Sequence, residues 1–119
     1  MKRWVLLEHR LTKDNPDQKH FDLLLEEKSN CRSWRLDQLP ILNGPSVKAI
    51  PINAHKLHWL ERNESNVSGG RGWAKRIEAG FYKGDLVEMN TSKISVQIHS
   101  KTYNGILELD GDFCRVLSF

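Results

Sequence analysis

The residues His20-Phe21-Asp22-Leu23-Leu24-Leu25-Glu26 decide how this chain is read. Leucine and phenylalanine run here without a break, which suits a buried strand, although periodicity alone also allows a short helix. Asp14-Asn15-Pro16-Asp17 before the run and Lys28-Ser29-Asn30 after it are turn chemistry and favour the strand. On a strand, residues two apart face the same side, so His20 and Asp22 share a face. Trp4-Val5-Leu6-Leu7-Glu8-His9 reads as the antiparallel partner and ends on a second histidine. Two imidazoles and one carboxylate then meet at one end of a hairpin, at the mouth of a small closed sheet. Such a set can ligate a divalent metal and leave positions open for water and substrate. The same three residues also fit a plain hairpin end in solvent, because a motif this short is only a hypothesis.

The chain has 119 residues, enough for one domain with its own core. A hydrophobic fraction of 39% and a charged fraction of 28% fit an ordinary globular protein. No run approaches the roughly 18 apolar residues of a membrane span, and the N-terminus lacks the pattern of an export signal. The expectation is a cytoplasmic, monomeric protein with no membrane partner. Cys31 and Cys114 lie in apolar surroundings and read as free thiols. The net charge of +3 permits phosphate or nucleic-acid partners without demanding them. There is no lysine-arginine block, which disfavours a purely electrostatic nucleic-acid binder.

Short strands are expected at 3–9, 19–27, 31–37, 47–52, 71–78, 80–88, 93–99, 103–109 and 113–118. Val96-Gln97-Ile98-His99 and Ile106-Leu107-Glu108-Leu109 alternate as half-buried strands do. Asp110-Gly111-Asp112 signals a tight hairpin, and a turn containing Asn104-Gly105 is expected in 101–105. Residues 38–46 read as a loop and 53–70 as irregular, with 54–60 either one helical turn or a strand. Many short strands with regular turns give a mainly β fold, a small closed β-barrel of about eight strands with one or two short helical turns.

Two further stretches carry chemistry. Ser68-Gly69-Gly70-Arg71-Gly72 lets a backbone approach closely and adds one phosphate-matching guanidinium, or else forms a plain hairpin loop. His55 and His58, three apart, would share a face in a helix or lie in a surface turn. Trp4, Trp34, Trp59 and Trp73 read mostly as packing.

In order along nearly the whole chain, these pieces resemble the phosphoesterase domain of bacterial DNA ligase D and its small stand-alone relatives. They are Leu7-Glu8-His9, His20 to Glu26, Arg32-Ser33-Trp34-Arg35-Leu36, Ala54 to Trp59, Val67 to Gly72, and Ile98-His99-Ser100 with Tyr103-Asn104-Gly105. The resemblance implies a β-barrel with a crescent-like groove. It implies a divalent metal, manganese or zinc, on His9, His20 and Asp22, and a phosphate-contacting histidine at His55. It implies hydrolysis at the 3′ ends of DNA or RNA, removing a 3′-phosphate or a 3′-ribonucleotide from a primer-template during DNA repair. End-joining ligase and polymerase proteins are the implied partners. The chain departs from that pattern at Leu24 and near Val47-Lys48, where the family carries arginines, and at Trp59, where it carries tyrosine. Lys48, Arg71 and Arg76 are the candidate replacements, with Arg71 preferred. The alternative expectation is a non-catalytic nucleic-acid or phosphate-binding barrel.

Overall fold

The computed structural model describes residues 1–13, 19–67, 72–87 and 93–119. Its strands are β1 (Lys2–Arg10), β2 (Lys19–Glu26), β3 (Cys31–Leu36), β4 (Val47–His55), β5 (Glu64–Asn66), β6 (Trp73–Lys83), β7 (Ile94–Ser100), β8 (Asn104–Asp110) and β9 (Phe113–Ser118), with a 3-10 turn at Leu57–Leu60. Neighbours run β1-β2-β3-β4-β9-β8-β7-β6, and β6 pairs back onto β1, which closes an eight-stranded antiparallel ring. The expected mainly β fold is the fold observed. The ring is not a regular barrel. β4 meets β9 only at Val47↔Cys114 and Lys48↔Phe113, and β7 meets β6 only from Gly80 to Lys83. Beyond those pairs β4 continues along β3 and the start of β6 continues along β1, and β5 pairs with the other edge of the start of β6.

Side chains alternate between two faces, and β1 and β2 bury both. Trp4, Leu6, Phe21, Leu23 and Leu25 fill the ring with Trp34, Leu36, Tyr82, Ile98 and Leu107. Val5, Leu7 and Leu24 point the other way and form a second cluster with Cys31 and Leu60, the last residue of the 3-10 turn. This explains the unbroken leucines. Leu23 and Leu25 serve the ring while Leu24 serves the outer cluster, so no polar residue interrupts the run. Cys31 and Cys114 are free and buried, and burial pushes their thiols up to about 11 and about 12. Among the described residues no helix is long and apolar enough to cross a membrane.

Three boundaries differ from the sequence reading. The strands expected at 71–78 and 80–88 are one strand, β6, running through Gly80. A Cβ on Gly80 would lie 1.9 Å from the His99 carbonyl oxygen, so this glycine permits close strand approach and makes no turn. β4 runs on to His55 and Glu64–Asn66 forms β5, both within the stretch expected to be irregular. Asn104-Gly105 opens β8; the turn lies just before it, where the Ser100 amide donates to the Tyr103 carbonyl at 2.8 Å.

Leu24 is fully buried. Leu24→Ala is expected to cost about 2–5 kcal/mol, and Leu24→Arg more, because it adds a charge with no partner in an apolar cluster. Urea unfolding midpoints measure both, and an arginine variant as stable as wild type would refute the two-faced packing.

Candidate metal centre

The antiparallel register sets His9 opposite His20 and Leu7 opposite Asp22. All three expected ligands stand on the outer face of β1 and β2, the face of Leu7 and Leu24. The site is therefore on the outside wall of the ring, not at its mouth: the inward face is filled by the larger core. His9 Nδ1 and His20 Nε2 are 2.8 Å apart, and His20 Nε2 is 3.6 Å from Asp22 Oδ1. One ligand atom from each of His9, His20 and Asp22 lies within 4.8 Å of the others.

Asp22 is only 4% exposed, yet its Oδ1 makes no hydrogen bond to any described residue. A buried acceptor left unsatisfied costs about 1–3 kcal/mol, which a cation at this point would offset. Two imidazole nitrogens and one carboxylate oxygen are a donor set that suits a first-row divalent ion. Burial holds the His20 imidazole below the usual histidine range, Asp22 opposing and Arg35 and His9 adding to the effect. At neutral pH the ring is thus in the neutral form a metal requires.

His55 ends β4, opposite Cys31 and just past a register shift between Cys31 and Ser33. Its Nε2 is 3.6 Å from Asp22 Oδ2. Its Nδ1 is 2.8 Å from the Ser33 hydroxyl, which donates its one proton to the Cys31 carbonyl at 2.9 Å. The hydroxyl can then only accept from His55, so Nδ1 carries a proton and Nε2 faces the acid. Ser33 is itself buried, which keeps water from competing for that bond.

A groove of about 760 Å³ opens over these residues. It is walled by the outer faces of β1 to β4, by the 3-10 turn and by Asn66 and Val67 at the end of β5. Among the described residues that line it, Asp22 is the only acid, against Arg35, Lys56, Arg62 and the histidines His9, His55 and His58. His58 is held below the usual range by lost hydration first, then by Arg62 and Lys56. Trp59 lines the groove with the Arg62 guanidinium 5.7 Å over its ring.

The structure brings His9, His20, Asp22 and His55 together and places two of the expected cations, Lys48 and Arg76, elsewhere. Lys48 is exposed beside Phe113 of β9 and does not line the groove. Arg76 is engaged by the Leu60 carbonyl and Asn63 Oδ1, bracing the 3-10 turn. Arg71 lies outside the described residues, as do Ser68, Gly69 and Gly70. Gly72 has φ of 107°, and a Cβ there would sit 2.2 Å from the Arg10 carbonyl oxygen and 3.1 Å from His9 Nε2. The close backbone approach expected of that stretch is met at this glycine. Arg35 was missed as a site residue. A signal existed: a tight turn between Glu26 and Cys31 sets Asp22 opposite Arg35 by counting outward from it.

A scan against protein-family models finds no match to this chain, and a search of the curated proteins finds none either.

Two outcomes test the centre without any assay of turnover. Manganese at a hundredfold excess over its dissociation constant should stabilise the fold by about 2.7 kcal/mol, seen as a rise in melting temperature over a chelated sample. His20→Ala and Asp22→Ala should erase the rise. Separately, ¹⁵N shifts should show His55 protonated at Nδ1, and Ser33→Ala should convert it to a mixture of tautomers.

Proposed function

We propose that the protein is a divalent-metal-dependent phosphoesterase acting on the 3′ ends of DNA or RNA, related to the ligase D phosphoesterase domain that its sequence resembles. One observation carries the reading: a buried carboxylate with an oxygen that has no partner among the described residues, flanked by two imidazoles, in a groove whose other described charged lining residues are basic. Hydrolysis of a phosphate ester depends chiefly on positioning and on neutralising charge at the phosphoryl oxygens. His9, His20 and Asp22 would hold the ion, manganese or zinc. When bound, it supplies Lewis-acid charge stabilisation at the phosphoryl group.

The chain's own residues do the rest. Ser33 fixes the His55 ring so that Nε2 points at the centre. In its protonated form this ring donates to a phosphoryl or leaving oxygen and limits the negative charge that develops there. Lys56 and Arg62 run along the groove and suit the next phosphates of a strand. Trp59 offers a face on which a base or sugar can stack. The observation favouring the alternative, a non-catalytic phosphate-binding ring, is Leu24, which gives its position to packing and not to a charge.

A primer-template ending in a 3′-phosphate or one 3′-ribonucleotide, incubated with the protein and manganese, should be dephosphorylated or shortened. His20→Ala and Asp22→Ala should reduce the rate to background, and His55→Ala should lower kcat by about 10²–10³-fold. Manganese binding with no change in the primer would reject the esterase. Primer binding that survives chelation would then point to the non-catalytic ring.

A further inference from the structure

We infer that Arg35 is the side chain that grips the phosphate beside the His9-His20-Asp22 group, an assignment that rests on the phosphate-ester reading above. Arg35 stands on β3 directly opposite Asp22 in the β2–β3 pairing, so its Cα is fixed to the strand that carries the acid. Its Nε is 3.9 Å from Asp22 Oδ1, too far for a hydrogen bond, and that oxygen accepts none. The guanidinium makes no hydrogen bond to any described residue, its side chain is 49% exposed, and it lines the groove. It is thus a fork of N–H donors held at the centre and not consumed there.

Other described arginines differ. Arg76 is spent on Leu60 and Asn63, and Arg3 is paired with Glu26 and Glu61. Arg62 lies against the Trp59 ring. Lys56 lines the groove but offers a point charge, where the planar fork of Arg35 matches two oxygens of one phosphate. Once a cation engages the Asp22 carboxylate, the weak attraction holding Arg35 toward it declines, and the guanidinium turns to an anionic ligand in the groove. The ligand this geometry suits is a phosphate monoester or diester seated between His55 Nε2 and Arg35, the two groups flanking Asp22 that are outside the His9-His20-Asp22 set.

Equilibrium binding of inorganic phosphate to the manganese-loaded protein tests this without turnover. Arg35→Ala should weaken phosphate binding about ten- to a hundredfold, Arg35→Lys should recover part of it, and manganese binding should be retained in both. Lys83→Ala, which removes an exposed positive charge at the β6–β7 end, should leave phosphate binding unchanged. Phosphate bound equally well by Arg35→Ala, or not bound by the manganese-loaded wild type, overturns the assignment. So does a loss equal to that of Arg35→Ala in Lys83→Ala, which would make the effect one of net charge. If phosphate binding depends on Arg35 while the 3′-end assay stays silent, the esterase reading fails and the phosphate contact stands.

Discussion

Burial of the β1–β2 hairpin on both faces is the constraint on which the rest of the molecule depends. A ring this small needs its inner face filled by large residues, and Trp4, Leu6, Leu23 and Leu25 do that. An ordinary small ring would turn the outer face to water. Here the 3-10 turn lays Leu60 over Val5, Leu7 and Leu24, and Arg76 ties that turn down through the Leu60 carbonyl. The outer wall therefore has a dry end and a wet end. The ligand group sits where one passes into the other, with Leu7 directly opposite Asp22 and Val5 opposite Leu24 as the next pair on that face, toward the dry end.

That position gives Asp22 its character. A carboxylate at a wet hairpin end would be screened and hydrogen-bonded to solvent. At 4% exposure its Oδ1 is shut off from solvent and has no donor among the described residues, and the carboxylate is ringed by His20, His55 and Arg35 at 3.6 to 3.9 Å. Bonds of normal length to these groups would make a closed ion network that needs no further ligand. The observed separations are too long for that and leave room for a cation instead. The contrast with Glu26 is instructive. That acid takes bonds of 2.7 and 3.1 Å from the backbone amide and guanidinium of Arg3 and is held below the usual carboxylate range by them. Glu26 is satisfied within the fold and Asp22 is not, though both belong to one strand.

Much of this was legible in the residues. The turn chemistry around 14–17 and 28–30 was enough to define β2, and a period of two put His20 and Asp22 on one face. What could not be read was which face. The parity of the pattern relates Asp22 to Leu24 but does not say whether that pair points into the ring or away, because leucine occupies both parities here. Gly80 misled for a related reason. A glycine in a strand pattern marks either a break or a close approach, and only the His99 backbone beside it decides between them. β5 was unreadable because Glu64-Ser65-Asn66 has no apolar signal; it pairs by backbone alone along the free edge of β6.

The positions of positive charge follow from the same geometry. Position 24 faces the site side of β2, but Leu60 covers it, so a cation there would have to be desolvated against Leu7 and Cys31. One strand over, position 35 looks onto the same carboxylate and remains half in water. An arginine costs far less to keep there, half exposed at the groove. Charge opposite Asp22 is thus compatible with a fully apolar outer cluster only if it arrives from β3. The dry packing that secures the hairpin and the basic groove that suits an anion are in this way two halves of one arrangement of β1, β2 and β3.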